Sequence, residues 1–327
     1  MDTKNFQSVA EKLRNAKDKN GNTLNMDSII ISQGTEIFKH SFKNEDVQND
    51  LRSLSKPIIA ISIGMAIESG LRLRGELLSL DTKIYPFFKN RVKIVKQVNV
   101  EKWEQVTLRH LLTHSIGYAE GLMFSKQIKD KDPSTLLDYV FNTDIVNESG
   151  TTFVYSNVGP YILSVLIQEE LGINLSEWIN QTLFQKIGII NWEWKNYGKY
   201  CAGATGLKLY HDDLHKIGEI LINKGLYNGQ RIVSEYWIDL MTTKQISTFG
   251  GDFPNGQRTE PTVYDPNRVF PKWGYGFFVY ICENGNYYID GTDGQYIIVL
   301  KDKGILITTF GHQSDMKPIT ECFRELL

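Results

Sequence analysis

Cysteine is scarce, with three in 327 residues: Cys201, Cys282 and Cys322, odd in number and widely separated. That argues against a disulfide framework and for a reducing compartment. Excess positive charge is missing too, with 36 Lys and Arg against 38 Asp and Glu and a formal net charge of -2. Without a basic stripe, neither nucleic acid nor a membrane surface is an expected partner. Long apolar runs are absent, and the longest, residues 57–67, is too short to span a bilayer. The first twenty residues are polar and charged and lack the apolar core of a secretory signal, so the expected location is cytoplasmic. Internal repeats and low-complexity tracts are likewise missing.

What is present suffices for a substantial core, because 41% of the residues are hydrophobic and 12% aromatic. A chain of this length fits one large domain or two interleaved ones. Phe6, Val9, Ala10 and Leu13 recur at helical spacing, which predicts an amphipathic helix at the start. Residues 28–32 and 36–42 are β-rich runs separated by Gln33, Gly34 and Thr35, a predicted hairpin. Helical signals dominate from about Gly75 to Lys199, including 108–113, 133–141 and an apolar run at 160–171 closed by Gly172. Two further helices are predicted over 211–224 and 234–242, then a long Gly-, Pro- and Asn-rich loop over 250–267. Short strands are predicted at 275–282, 287–290, 296–301 and 305–310, and a closing helix carries Ile319, Phe323 and Leu326 on one face. The expected class is α+β: an antiparallel sheet flanked by terminal helices, with a helical subdomain inserted. Residues 1–74 and 200–327 form the α/β part and 75–199 the helical part.

The chain is organised around residues 51–70. Pro57 suits the first turn of a helix, the apolar run behind it is broken only by small residues, and Gly70 closes it. This predicts a buried helix with Ser53 and Lys56, three apart, on one side of its first turn. A serine hydroxyl is a weak nucleophile until a base takes its proton, and a desolvated lysine is such a base. Ser-x-x-Lys alone is a common pattern, equally readable as a capping serine beside a solvated lysine.

Two later stretches change that balance. One is Tyr155, Ser156 and Asn157 ahead of an apolar helix; the other is the glycine-rich run from Asp290 to Tyr296. In this order, with 107–117 between the first two motifs, the chain resembles the serine β-lactamase and penicillin-binding-protein superfamily, nearest its class C β-lactamase-like hydrolases and esterases. The resemblance spans about residues 27–310 and implies a serine β-lactamase/DD-peptidase-like fold. It makes Ser53 the nucleophile, Lys56 or Tyr155 the proton-transfer group, and Asn157 an orienting amide. The backbone N–H groups of Ser53 and Thr292, the residue after Gly291, would hold the oxyanion. A phenol between a lysine ammonium and a serine is expected to have its anionic form stabilised.

The third motif departs from the antibiotic-recognising pattern. Where that pattern has Lys-Thr-Gly, this chain has Ile289, Asp290 and Gly291, so a carboxylate-holding lysine is missing. The run from Gly291 to Gln295 looks more like the Gly-x-x-Gly-Gln of esterase-like and amide-hydrolysing members. The expected activity is a serine hydrolase acting on an ester or amide through an acyl-Ser53 intermediate, with no cofactor and a small-molecule ester, amide or peptide as substrate. Asp290 and Asp293 are candidates for attracting a substrate amine, and otherwise turn-forming loop residues. Tyr118, Met123, Phe124, Trp273 and Tyr275 are candidate acyl-pocket residues and 250–271 a candidate lid, with core packing and a surface loop as the alternatives. Rival readings are an acyltransferase on the same acyl-serine, a β-lactamase or DD-peptidase, a binding or sensor module, and a metal hydrolase using the i, i+4 pairs His110/His114 or His211/His215.

Overall fold

Near-continuous apolar runs, such as residues 296–300 and 305–307, are buried on both faces of one sheet, and helices cover both. The computed structural model describes residues 3–43, 47–94, 96–248 and 267–327. Strands β1 (Met26–Gln33) and β2 (Glu36–Ser41) form the expected hairpin. They are followed late in the chain by β3 (Ile246–Ser247), β4 (Gly274–Tyr275), β5 (Tyr280–Ile281), β6 (Tyr287–Gly291), β7 (Gln295–Leu300) and β8 (Ile305–Gly311). The strand order is β3-β4-β5-β6-β7-β8-β1-β2, antiparallel throughout. Both chain ends thus meet at the β8–β1 pair, with Ile30 opposite Thr308.

The register sorts the covering helices. Ile31 pairs with Phe38, whose ring meets Phe6 of α1 (Thr3–Asn15), so α1 lies on the Ile29/Ile31 face. Phe6, Val9, Ala10 and Leu13 are buried there as their spacing predicted. Ser28, Ser32 and Thr308 occupy the other face and bond to histidines of α5 (His211–Ile222). The closing helix α7 (Lys317–Glu321) buries Ile319, with Phe323 and Leu326 following it.

Between these ends run α2 (Ser55–Glu68), α3 (Leu108–Leu112), α4 (Val158–Leu171) and then α5 and α6 (Glu235–Thr242). Residues 55–66 of α2 are all buried, the signature of a helix packed on every side. Gly64 is required there: a Cβ would stand 2.2 Å from the Trp237 indole nitrogen, which donates to the Ala60 carbonyl at 3.0 Å. Among the described residues no helix is long and apolar enough to cross a membrane.

One predicted strand is divided. Residues 275–282 form two short strands around a turn, with Phe278 at φ 59°. Phe277 and Phe278 are both buried, and adjacent strand positions face opposite ways, so the turn delivers both rings to the core. The candidate lid falls mostly on residues 249–266, outside the described ones.

Candidate active site

A short 3-10 turn, Arg52–Leu54, leads directly into α2 and places Ser53 and Lys56 one turn apart. The Lys56 ammonium nitrogen lies 2.9 Å from Ser53 Oγ, 2.8 Å from the Tyr155 hydroxyl and 3.3 Å from the Ala204 carbonyl oxygen. Lys56 is 1% exposed, which removes the reading of a solvated lysine beside a capping serine. Loss of water lowers its pKa to about 7, against an opposing pull from Asp290. Ser53 itself is only partly covered and so remains reachable.

Tyr155 stands at the end of an irregular segment just before α4. Burial of its hydroxyl pushes its pKa above the ordinary phenol value and outweighs the bond to Ser53. The expectation of a stabilised phenolate is therefore corrected: desolvation of the anion, with the Asp290 charge beside it, favours the neutral phenol. Around it gather Phe124, Phe153, His114, Tyr275 and Tyr280, with ring centroids 4.9 to 6.5 Å from Tyr155 where they meet it and Phe153 joined through Tyr275. Phe124 and Tyr275 thus line the neighbourhood of the site. Tyr118 instead packs on Trp103 and donates to the Val140 carbonyl, and Trp273 lies under the Lys244 ammonium. Met123 is buried.

Asn157 does not reach Lys56. Its amide donates to the Met123 carbonyl at 3.1 Å, and although it occupies the position capping α4 it makes no capping bond. The Ser156 hydroxyl accepts from the Val158 N–H instead. The lysine's third partner is the Ala204 carbonyl, a backbone group that residue identity in the sequence could not reveal.

Strand β6 passes alongside the turn before Ser53. A Cβ on Gly291 would meet the Leu51 carbonyl at 2.7 Å and Arg52 Cβ at 3.2 Å, so only glycine permits this approach. Thr292 follows, exposed, at the turn into β7. The Gln295 amide donates to the Asp50 carbonyl at 3.2 Å, a second tie between the third motif and the Ser53 turn.

With this geometry in place, the Beta-lactamase family profile matches residues 29–318. The chain belongs to the Beta-lactamase family. Penicillin-binding protein 4* of Bacillus subtilis (strain 168) is 24% identical over 209 residues, which span 57% of this chain and 40% of that protein. A class C beta lactamase of known structure superposes with a TM-score of 0.69 at 14% identity, covering 99% of this chain and 98% of that one. EstCE1, a hydrolase with promiscuous acyltransferase activity, gives 0.70 at 15% identity over 99% and 100%. These superpositions show a serine β-lactamase/DD-peptidase-like fold.

In this β-lactamase family member the third-motif acid is not a free loop aspartate. Asp290 lies in β6, 3.4 Å from the ammonium of Lys272, which also sits 4.0 Å over the Tyr280 ring. Asp293 is likewise paired, with Arg52. The histidine pairs hold no metal-like set. His110 accepts from the Thr107 N–H, and His114 is buried against aromatic rings. His211 and His215 bond to Ser28, Ser32 and Thr308 hydroxyls in the core. No group of three metal-binding side chains occurs among the described residues.

Proposed function

We propose that this protein is a serine hydrolase that cleaves a small ester or amide through an acyl-Ser53 intermediate. The observation that carries the reading is the contact of buried Lys56 with both Ser53 Oγ and the Tyr155 hydroxyl. A lysine with a pKa of about 7 is half free amine at neutral pH. Its two N–H bonds can serve Tyr155 and the Ala204 carbonyl, which accepts only, leaving the lone pair for the Ser53 proton.

In this scheme Ser53 Oγ attacks the carbonyl carbon as its proton passes to Lys56 Nζ. The N–H groups of Ser53 and Thr292 stabilise the oxyanion. The neutral Tyr155 phenol gives its proton to the leaving group and is reprotonated from Lys56, so the amine is restored. Water then repeats the sequence on the acyl-enzyme. In this scheme the site draws Ser53, Lys56 and Thr292 from the proposed α/β part and Tyr155 from the helical part, 75–199. The chemistry requires no cofactor.

The missing Lys-Thr-Gly lysine favours substrates without a carboxylate beside the scissile bond. Interception of the same acyl-Ser53 by an alcohol or amine is the second reading, supported by likeness to EstCE1, described as a hydrolase with promiscuous acyltransferase activity. Intact mass spectrometry after incubation with a p-nitrophenyl ester, a β-lactam and a fluorophosphonate tests both. The ester and the fluorophosphonate should add to the wild type and not to Ser53→Ala; persistence of the adducts in Ser53→Ala would reject the nucleophile. Added alcohol should divert product only if acyl transfer competes.

A further inference from the structure

Two residues with left-handed backbones flank the Ser53 and Thr292 amides, and they hold each other. Arg52, immediately before Ser53, has φ 52°, and Asp293, immediately after Thr292, has φ 74°. Neither is glycine, and an arginine in this region persists only where its surroundings fix it. The surroundings do so here. The Arg52 N–H donates to Asp50 Oδ1 at 2.8 Å and its Nη1 to Asp50 Oδ2 at 3.0 Å. On the other side of the guanidinium, Nε donates to Asp293 Oδ2 at 3.1 Å and Nη2 lies 3.0 Å from the same oxygen.

We propose that Arg52 and Asp293 are positioning residues that clamp the nucleophile turn to the third-motif turn and so fix the spacing of the two oxyanion-binding N–H groups. The inference rests on the assignment of Ser53 and Thr292 made above. Its geometry is that of a planar fork spanning two carboxylates, a shape that lysine cannot reproduce. Asp50 anchors the far end, because its Oδ1 also accepts the Gly206 N–H at 3.2 Å, in the segment that brings Ala204 to Lys56. The close passage of Gly291 against Leu51 and Arg52 sets the distance that the clamp then holds. The pair is partly exposed, with side chains 42% and 34% accessible, so its contribution to overall stability is small. Its effect should appear where charge develops in the transition state, since an oxyanion site depends on donors already in place.

Asp293→Asn is the decisive variant, because asparagine tolerates a left-handed backbone and removes only the charge. With a neutral p-nitrophenyl ester, Asp293→Asn should lower kcat about tenfold with KM within about threefold of wild type. Affinity for phenylboronic acid, which forms a tetrahedral adduct on serine, should fall in parallel. Arg52→Lys should lower kcat about as much as Asp293→Asn, and Arg52→Gln combined with Asp293→Asn should be no worse than Arg52→Gln alone, as expected for one shared function. A wild-type kcat in Asp293→Asn, a loss confined to KM, or additive effects in the double variant would overturn the clamp. Thermal melts on each variant separate unfolding from misplacement. Ser53→Ala run alongside separates the two inferences: activity in that variant refutes the nucleophile itself, whereas a dead Ser53→Ala beside an unimpaired Asp293→Asn refutes only the clamp.

Discussion

A lysine 1% exposed between a serine hydroxyl, a phenol and a carbonyl oxygen cannot keep its ordinary basicity, because its ammonium form has lost its water. Burial is the larger influence, and Asp290 is the counterweight that favours the ammonium. Asp290 in turn is compensated by Lys272 at 3.4 Å. His114, buried beside Tyr155, stays neutral because desolvation first and the Lys56 charge second hold its pKa well below 6.5. If free amine is the active form, kcat/KM on a neutral ester should rise with pH through about 7. Asp290→Asn removes the field favouring ammonium and should move that midpoint down, by about half a unit or more. Lys272→Met leaves Asp290 uncompensated and should move it up, while Lys272→Arg should leave it in place. A pH profile of fluorophosphonate labelling checks this; shifts of the same sign in Asp290→Asn and Lys272→Met would exclude the electrostatic account.

At the scale of elements, the site depends on β6 running close to the Arg52–Leu54 turn. Gly291→Ala should destabilise the fold by about 1–3 kcal/mol, since a methyl 2.7 Å from the Leu51 carbonyl and 2.9 Å from Leu54 Cδ1 forces backbone to move. It should also slow Ser53 labelling more than tenfold at a temperature where the variant is folded. A lower melting point with wild-type labelling would show that the approach matters to packing alone. This element-level dependence also marks what was legible beforehand. Ser53, Lys56 and Tyr155 could be named from motif order and the resemblance it carries, and the meeting of Ser53 with Lys56 follows from α2 starting where Pro57 and the apolar run place it, whereas Tyr155 reaches Lys56 only through tertiary packing. The Ala204 carbonyl, the Lys272 partner of Asp290 and the turn through Phe278 could not, because each arises from contacts between segments distant in the chain. Asn157 shows the converse: motif order made it an orienting amide, yet its side chain donates to the Met123 carbonyl.

Taken whole, the molecule closes on the β8–β1 pair, where the first and last strands meet and α5 covers one face. The open cavity of about 710 Å³ between the terminal helices, bounded by Lys12, Pro318, Glu321 and Cys322, shares no residue with the Ser53 site. A polar cluster buried in the core, away from the Ser53 site, is the histidine pair of α5. His211 bonds to Ser28 and Thr308, and His215 to Thr308 and Ser32, so one hydroxyl, Thr308, joins both rings across the sheet. Burial first, then the mutual repulsion of the rings, lowers His211 to about 3; burial lowers His215 to about 4 despite Asp212. In the unfolded chain both return to about 6.5. Between roughly pH 6.5 and pH 4 the unfolded state therefore binds more protons, and stability should fall as pH falls, by up to about 1.4 kcal/mol per pH unit for each ring. Stability from this source is fully present above pH 6.5 and is lost as pH drops through the folded values. His215→Gln should lower the melting point at pH 8 by disturbing the network, yet make it decline less steeply from pH 6.5 to 4.5 than in wild type. Differential scanning calorimetry across that range reads the slope directly, and parallel slopes in the two proteins would assign the acid sensitivity to other groups, leaving the histidines as packing alone.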